Sequence, residues 1–166
     1  MKKIALVLLA MLTLFVGASC GKTETAVDGT AAETAAAQPQ TAAQWLDMLA
    51  EKVPFDDAMQ SVPERAASVY GILDEDGYTG DCALYISTMA TPEEIAVFRA
   101  DDALSTDDLT QLALARLERQ KESFADYAPA EMPKLESAVV RTCGDFVIVC
   151  VCADNAKAQA LLDVYA

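Results

Sequence analysis

The chain has 166 residues, a formal net charge of −14, five cysteines and no histidine. The missing histidine removes the commonest general base, the usual catalytic triads and most zinc sites. The acidic balance makes nucleic acid and anionic membrane surfaces poor partners.

Residues 1–19 read as a secretory signal: basic Met1-Lys2-Lys3, the apolar run Ile4 to Val16, then small Gly17-Ala18-Ser19 before Cys20. The apolar run falls short of the roughly twenty residues that a spanning helix needs, and polar Gly21-Lys22-Thr23-Glu24 follows it. Ala18 and Ser19 ahead of Cys20 resemble the lipobox of bacterial lipoproteins, whereas Gly17 stands where that pattern has a larger aliphatic residue. The resemblance implies diacylation of Cys20 and anchoring on the outer face of a membrane; two buried acyl chains suffice for stable attachment where one is marginal. Ordinary cleavage after Ser19, leaving a free thiol, is the alternative.

Residues 20–43 are then the lipidated cysteine and a tether of Ala, Thr, Gln and Glu, with no large apolar residue except Val27. Such a stretch buries too little to offset ordering entropy, and its typical reach is about 25 Å. Residues 44–166 are long enough for one domain with a real core. Loss of Lys2 and Lys3 with the signal leaves ten basic against 26 acidic residues, a formal charge near −16.

Along the domain, Thr41 and Gln44 have capping-box spacing, and Trp45, Met48 and Leu49 follow at helical intervals up to Pro54. A short helix begins at Pro63, presents Ala66, Ala67 and Tyr70, and stops at Gly71. After the acidic turn Asp74-Glu75-Asp76-Gly77 the period changes to two, and Cys82 to Met89 and Glu94 to Ala100 read as a hairpin turning near Thr91-Pro92. Ser105 caps a long helix from Thr106 to Tyr127, with Leu104 and Leu109 placed as a hydrophobic staple. Ala138 to Cys143 turns at Gly144-Asp145 into Phe146 to Ala153, and Asp154 caps a last helix carrying Ala158, Leu161, Leu162 and Tyr165. The expected fold is α+β: a four-stranded antiparallel sheet from two hairpins, each followed by a helix, with helices on one face and further helices at the N-terminus.

Several short motifs now stand in a definite order: Glu93-Glu94-Ile95-Ala96-Val97-Phe98; Arg116, Gln120, Phe124 and Tyr127; Pro129 and Glu131; then Leu135, Val139, Gly144 and Val147. In this order and spacing, over roughly residues 55–153, the chain resembles the lipoproteins of clostridia-like anaerobes that carry domain of unknown function family 4358. The resemblance implies a lipoprotein from such a bacterium and implies no activity.

No glycine-rich phosphate loop is present, and no cofactor is expected. The stretch Asp74 to Asp81 has the first spacing of a calcium loop, but Tyr78, Thr79 and Tyr85 stand where a ligand, the invariant glycine and the closing glutamate belong, so no metal site is assigned. For Cys82, Cys143, Cys150 and Cys152, packed thiols, one disulfide or a metal remain open. Cys150 and Cys152 share a strand face and are badly placed to bridge each other, whereas Cys82 reaches one of them if the hairpins are neighbours.

On the long helix, Leu109, Leu112, Ala113, Leu117, Phe124 and Tyr127 form an apolar face with Arg116 and Gln120 near its middle. A charged residue there either pairs with a buried acid, for which Glu94 and Glu131 are the candidates, or lines a cleft that takes an anion or a peptide carboxylate. The expected function is a non-catalytic binding or accessory domain, lipid-anchored at the extracytoplasmic face of the cell membrane, with an unidentified protein or small-molecule partner. The alternative is a cell-envelope hydrolase with two acids drawn from Glu93, Glu94 and Asp81; Glu93 and Glu94 cannot be that pair, since adjacent strand residues point to opposite faces.

Overall fold

A computed structural model describes residues 37–166. The signal peptide assigned to 1–19, Cys20 and most of the tether lie outside the described residues. Among those described, no helix is long and apolar enough to cross a membrane.

The first helix, α1 (Ala42–Lys52), begins where Gln44 N donates to Thr41 Oγ1 at 3.2 Å. The Gln44 side chain accepts from Gln40 N instead of closing the box on Thr41. After it come β1 (Gln60–Ser61), a 3₁₀ turn at Pro63–Arg65 running into α2 (Ala66–Tyr70), β2 (Cys82–Ile86) and β3 (Glu94–Arg99). The remaining elements are α3 (Thr106–Tyr127), α4 (Met132–Glu136), β4 (Val139–Cys143), β5 (Phe146–Val151) and α5 (Asn155–Leu162). Gly71 ends α2 at φ 82°, a left-handed position that a side chain would strain.

The sheet is antiparallel throughout, in the order β1-β2-β3-β5-β4. It has five strands and not the four expected, because Gln60 and Ser61 pair with Ile86 and Tyr85 at the edge of the first hairpin. Two residues are too few to display a period of two, so this strand carries no sequence signal. The second hairpin has the register expected from a two-residue turn, with Cys143 opposite Phe146 and Val139 opposite Cys150.

Helices cover both faces, where the sequence reading placed them on one. Trp45, Leu49 and Leu162 pack from α1 and α5 against Ile95, Val97 and Ile148. Leu109, Ala113, Leu117 and Leu135 pack from α3 and α4 against Ala96, Phe98, Val147 and Val149 on the other side. The central strands β3 and β5 are therefore apolar on both faces, which is why Ile95 to Phe98 and Phe146 to Val151 are unbroken apolar runs. Glu94, fully buried at the start of β3, immediately precedes the first of these runs.

The four domain cysteines are free thiols. Cys143, Cys150 and Cys152 pack among the α1 and α5 side chains, whereas Cys82 lies opposite Phe98 and packs on the α3 side. The hairpins are neighbours, but the sheet itself separates Cys82 from the other three.

Candidate functional site

Strand alternation turns the Glu94 carboxylate toward α3, the same side as Ala96 and Phe98. Its Oε2 accepts from Arg116 Nη2 and from Gln120 Nε2, both at 3.1 Å, and its Oε1 accepts from the Tyr70 hydroxyl at 2.8 Å. Glu94 is 1% exposed, and three donors from α2 and α3 close it completely. Arg116 and Gln120 reach one carboxylate because they stand one helical turn apart. Burial and the neighbouring Glu94 carboxylate push the Tyr70 phenol well above its ordinary pKa.

Of the residues singled out in the sequence, Arg116, Gln120 and Glu94 thus come together. Glu131 does not join them; it lies 2.9 Å from Lys134 Nζ. Tyr127, assigned to the apolar face of α3, is 71% exposed at the last turn of the helix. Tyr70 was read only as a core residue, since nothing in a short helical pattern distinguishes a packed phenol from a hydrogen-bonding one. Glu93 is equally buried, but its carboxylate faces the other way. It accepts from the amides of Asp56 and Asp57 at 3.0 and 3.1 Å, from Thr91 Oγ1 at 3.1 Å and from Lys134 Nζ at 3.2 Å. Asp81 accepts from Ala42 N at 2.7 Å and so caps α1. The three acids weighed for hydrolysis do not converge on one space.

Above the Glu94 cluster lies a cleft of about 610 Å³ between α2, α3 and the β2–β3 loop. Val69, Ile86, Met89, Phe124 and Tyr127 give it apolar walls. Arg65, Arg116 and Arg119 line it too, three of the five arginines of the chain. Arg99 and Arg141 pair with Asp145 and Asp163, whereas Arg65 and Arg119 are exposed and form no salt bridge among the described residues. Arg116 gives a single donor to Glu94, and its Nε, though buried, has no acceptor among the described residues. Gln120 Oε1 is likewise buried without a donor. The amide orientation is set by Glu94, since the reverse would place two oxygens against each other.

Residues 52–152 match the family described as Domain of unknown function (DUF4358). No curated protein and no solved structure matches the chain.

Proposed function

The chain belongs to the DUF4358 family, and we propose that it is a lipoprotein held at the extracytoplasmic face of the cell membrane through Cys20, whose domain binds an anionic ligand without transforming it. The observation that carries the binding half is the cationic cleft in a chain of net charge −14. Of the two acids at its floor, Glu94 is paired with Arg116 and Glu93 is turned to the opposite face and paired with Lys134, so the net charge a ligand meets is that of Arg65 and Arg119. Planar guanidinium groups suit a carboxylate or a similar flat anion. The signal sequence and Gly17-Ala18-Ser19-Cys20 support the anchor.

Two measurements test the halves separately. Mass spectrometry of the purified N-terminus should find acyl chains on Cys20; a free Cys20 thiol, or a chain still starting at Met1, overturns the anchor. Titration of the ¹⁵N-labelled protein with benzoate should move the Arg116 and Arg119 guanidinium signals and the amides around them. Shifts scattered over the surface, or unchanged in Arg119→Gln, overturn the cleft.

A further inference from the structure

Resting on that cleft reading, we infer that the ligand is an N-acylated α-amino acid terminus: a carboxylate with an amide N–H beside it and an apolar side chain. Acyl-amino acids and the C-termini of peptides share this chemistry.

The two orphaned polar atoms point to it. Among the described residues, Arg116 Nε lacks an acceptor and Gln120 Oε1 lacks a donor, and both side chains stem from α3 one turn apart. A group that answers both must bring an acceptor and a donor on neighbouring atoms, as a carboxylate and its α-amide N–H do. Sulfate brings acceptors only and leaves Gln120 unanswered. A buried polar atom without a partner is costly, so satisfying both orphans is a gain available to this ligand class and not to a simple anion. For a ligand to reach them, Arg116 must turn. It is a quarter exposed and tied by one hydrogen bond, and turning it into the cleft uncovers the orphans while Tyr70 and Gln120 keep Glu94 hydrogen-bonded.

The charge and the walls agree. Arg119 and Arg65, exposed and lining the same cleft, offer further donors to the carboxylate. The acidic surroundings disfavour a polyanion. Ile86, Val69, Phe124 and the flexible Met89 receive one apolar side chain.

The test is titration of the full chain, followed by NMR, with N-acetyl-leucine, its C-terminal amide, 4-methylpentanoate and inorganic sulfate. N-acetyl-leucine should bind best; loss of the charge in the amide, or of the N–H in 4-methylpentanoate, should each weaken binding about tenfold or more. Sulfate should be weaker still. Arg119→Gln should weaken N-acetyl-leucine about tenfold, and Arg141→Gln, outside the cleft, should leave it unchanged. A tetrapeptide ending in leucine separates the sources: tighter binding than N-acetyl-leucine assigns the site to peptide termini, weaker binding to free acyl-amino acids, and either sustains the class. Equal binding of sulfate or 4-methylpentanoate, still sensitive to Arg119→Gln, overturns the class and leaves the cleft. No cleft signal with any probe, or no effect of Arg119→Gln, overturns both.

Discussion

Glu93 and Glu94 are neighbours in the chain and are anchored on opposite faces of the sheet. Lys134 Nζ lies 3.2 Å from the first, and Arg116 Nη2 lies 3.1 Å from the second. The start of β3 is thereby clamped from both sides. One carboxylate holds the Asp56–Asp57 segment that follows α1, and the other holds α2 and α3. Both are buried, so neither is a surface ion pair of negligible worth; each is a buried charge whose cost is offset by its own set of donors.

Removal of Glu93 should loosen one side only. Glu93→Ala leaves the Asp56 and Asp57 amides and Lys134 without their shared acceptor, at a cost of about 3 kcal/mol. Native-state hydrogen exchange should accelerate at Asp56 and Asp57 beyond the loss of global stability, while the Gln120 side-chain amide keeps its protection. Equal acceleration at both sites would show that the two clamps are one unit.

High pH should unfold the domain through groups that the fold holds protonated. Burial, Glu94 and its hydrogen bond raise the Tyr70 phenol, and burial raises Tyr78 as well. Burial alone would lower Lys134, but Asp56, Glu131 and Glu93 outweigh it and hold the amine above its ordinary value. All three pKa values are raised on folding, so their stability is present below the unfolded pKa values and is lost as pH rises past about 10. Absorbance at 295 nm should show Tyr70 and Tyr78 ionising only as the circular dichroism signal collapses. Ionisation of Tyr70 before unfolding would contradict its burial.

Met89 is the one non-glycine residue with positive φ among those described, at 74°, and it is 76% exposed at the cleft mouth. A left-handed residue that is neither Gly nor Asn costs about 1 kcal/mol. Met89→Asn should therefore raise thermal stability slightly, by up to about 1 kcal/mol, at the expense of an apolar contact for a ligand. A fall in melting temperature would mean that the side chain packs more firmly than its exposure indicates.

What was legible in the sequence follows from how far each signal reaches. The Ser105 cap, with Asp108 closing its box, and the Gly144-Asp145 turn are local chemistry, and both are where the residues place them. Glu94 was legible as a partner for Arg116 because a lone acid at the head of an apolar strand needs a cation, and Arg116 interrupts an apolar helix face. Glu131 was not separable from Glu94 by that argument, because both are acids and only tertiary structure brings Lys134 next to one of them. The five-residue α4 contains Pro133 and follows Pro129, so it never shows a helical period. The cleft was invisible for a deeper reason. Arg65 and Arg119 are ordinary surface residues until α2 and α3 are set side by side, and the sequence between them fixes no distance.

The Arg116 pair decides how much of the site is scaffold. Arg116→Ala leaves Glu94 buried with two hydrogen bonds, from Tyr70 and Gln120, and no counter-charge. A buried pair broken in this way costs about 3 to 5 kcal/mol, but Arg116 is 25% exposed and the two remaining donors stay in place, so about 2 to 3 kcal/mol is expected. Arg116→Met restores the packing of the arginine stem without its donors. If the loss comes from the uncompensated carboxylate, Met should be nearly as unstable as Ala, and Glu94→Gln in the Met background should recover stability by removing the charge. If it comes from packing, Met should melt close to the parent and Glu94→Gln should add nothing. Denaturant unfolding of the parent, Arg116→Met, Glu94→Gln and the double variant separates the cases, since the coupling between positions 94 and 116 is read directly from that cycle. A parent-like midpoint for Arg116→Ala itself would show that Tyr70 and Gln120 suffice to hold the Glu94 charge. Arg116 would then be free to serve a ligand at no cost to the fold.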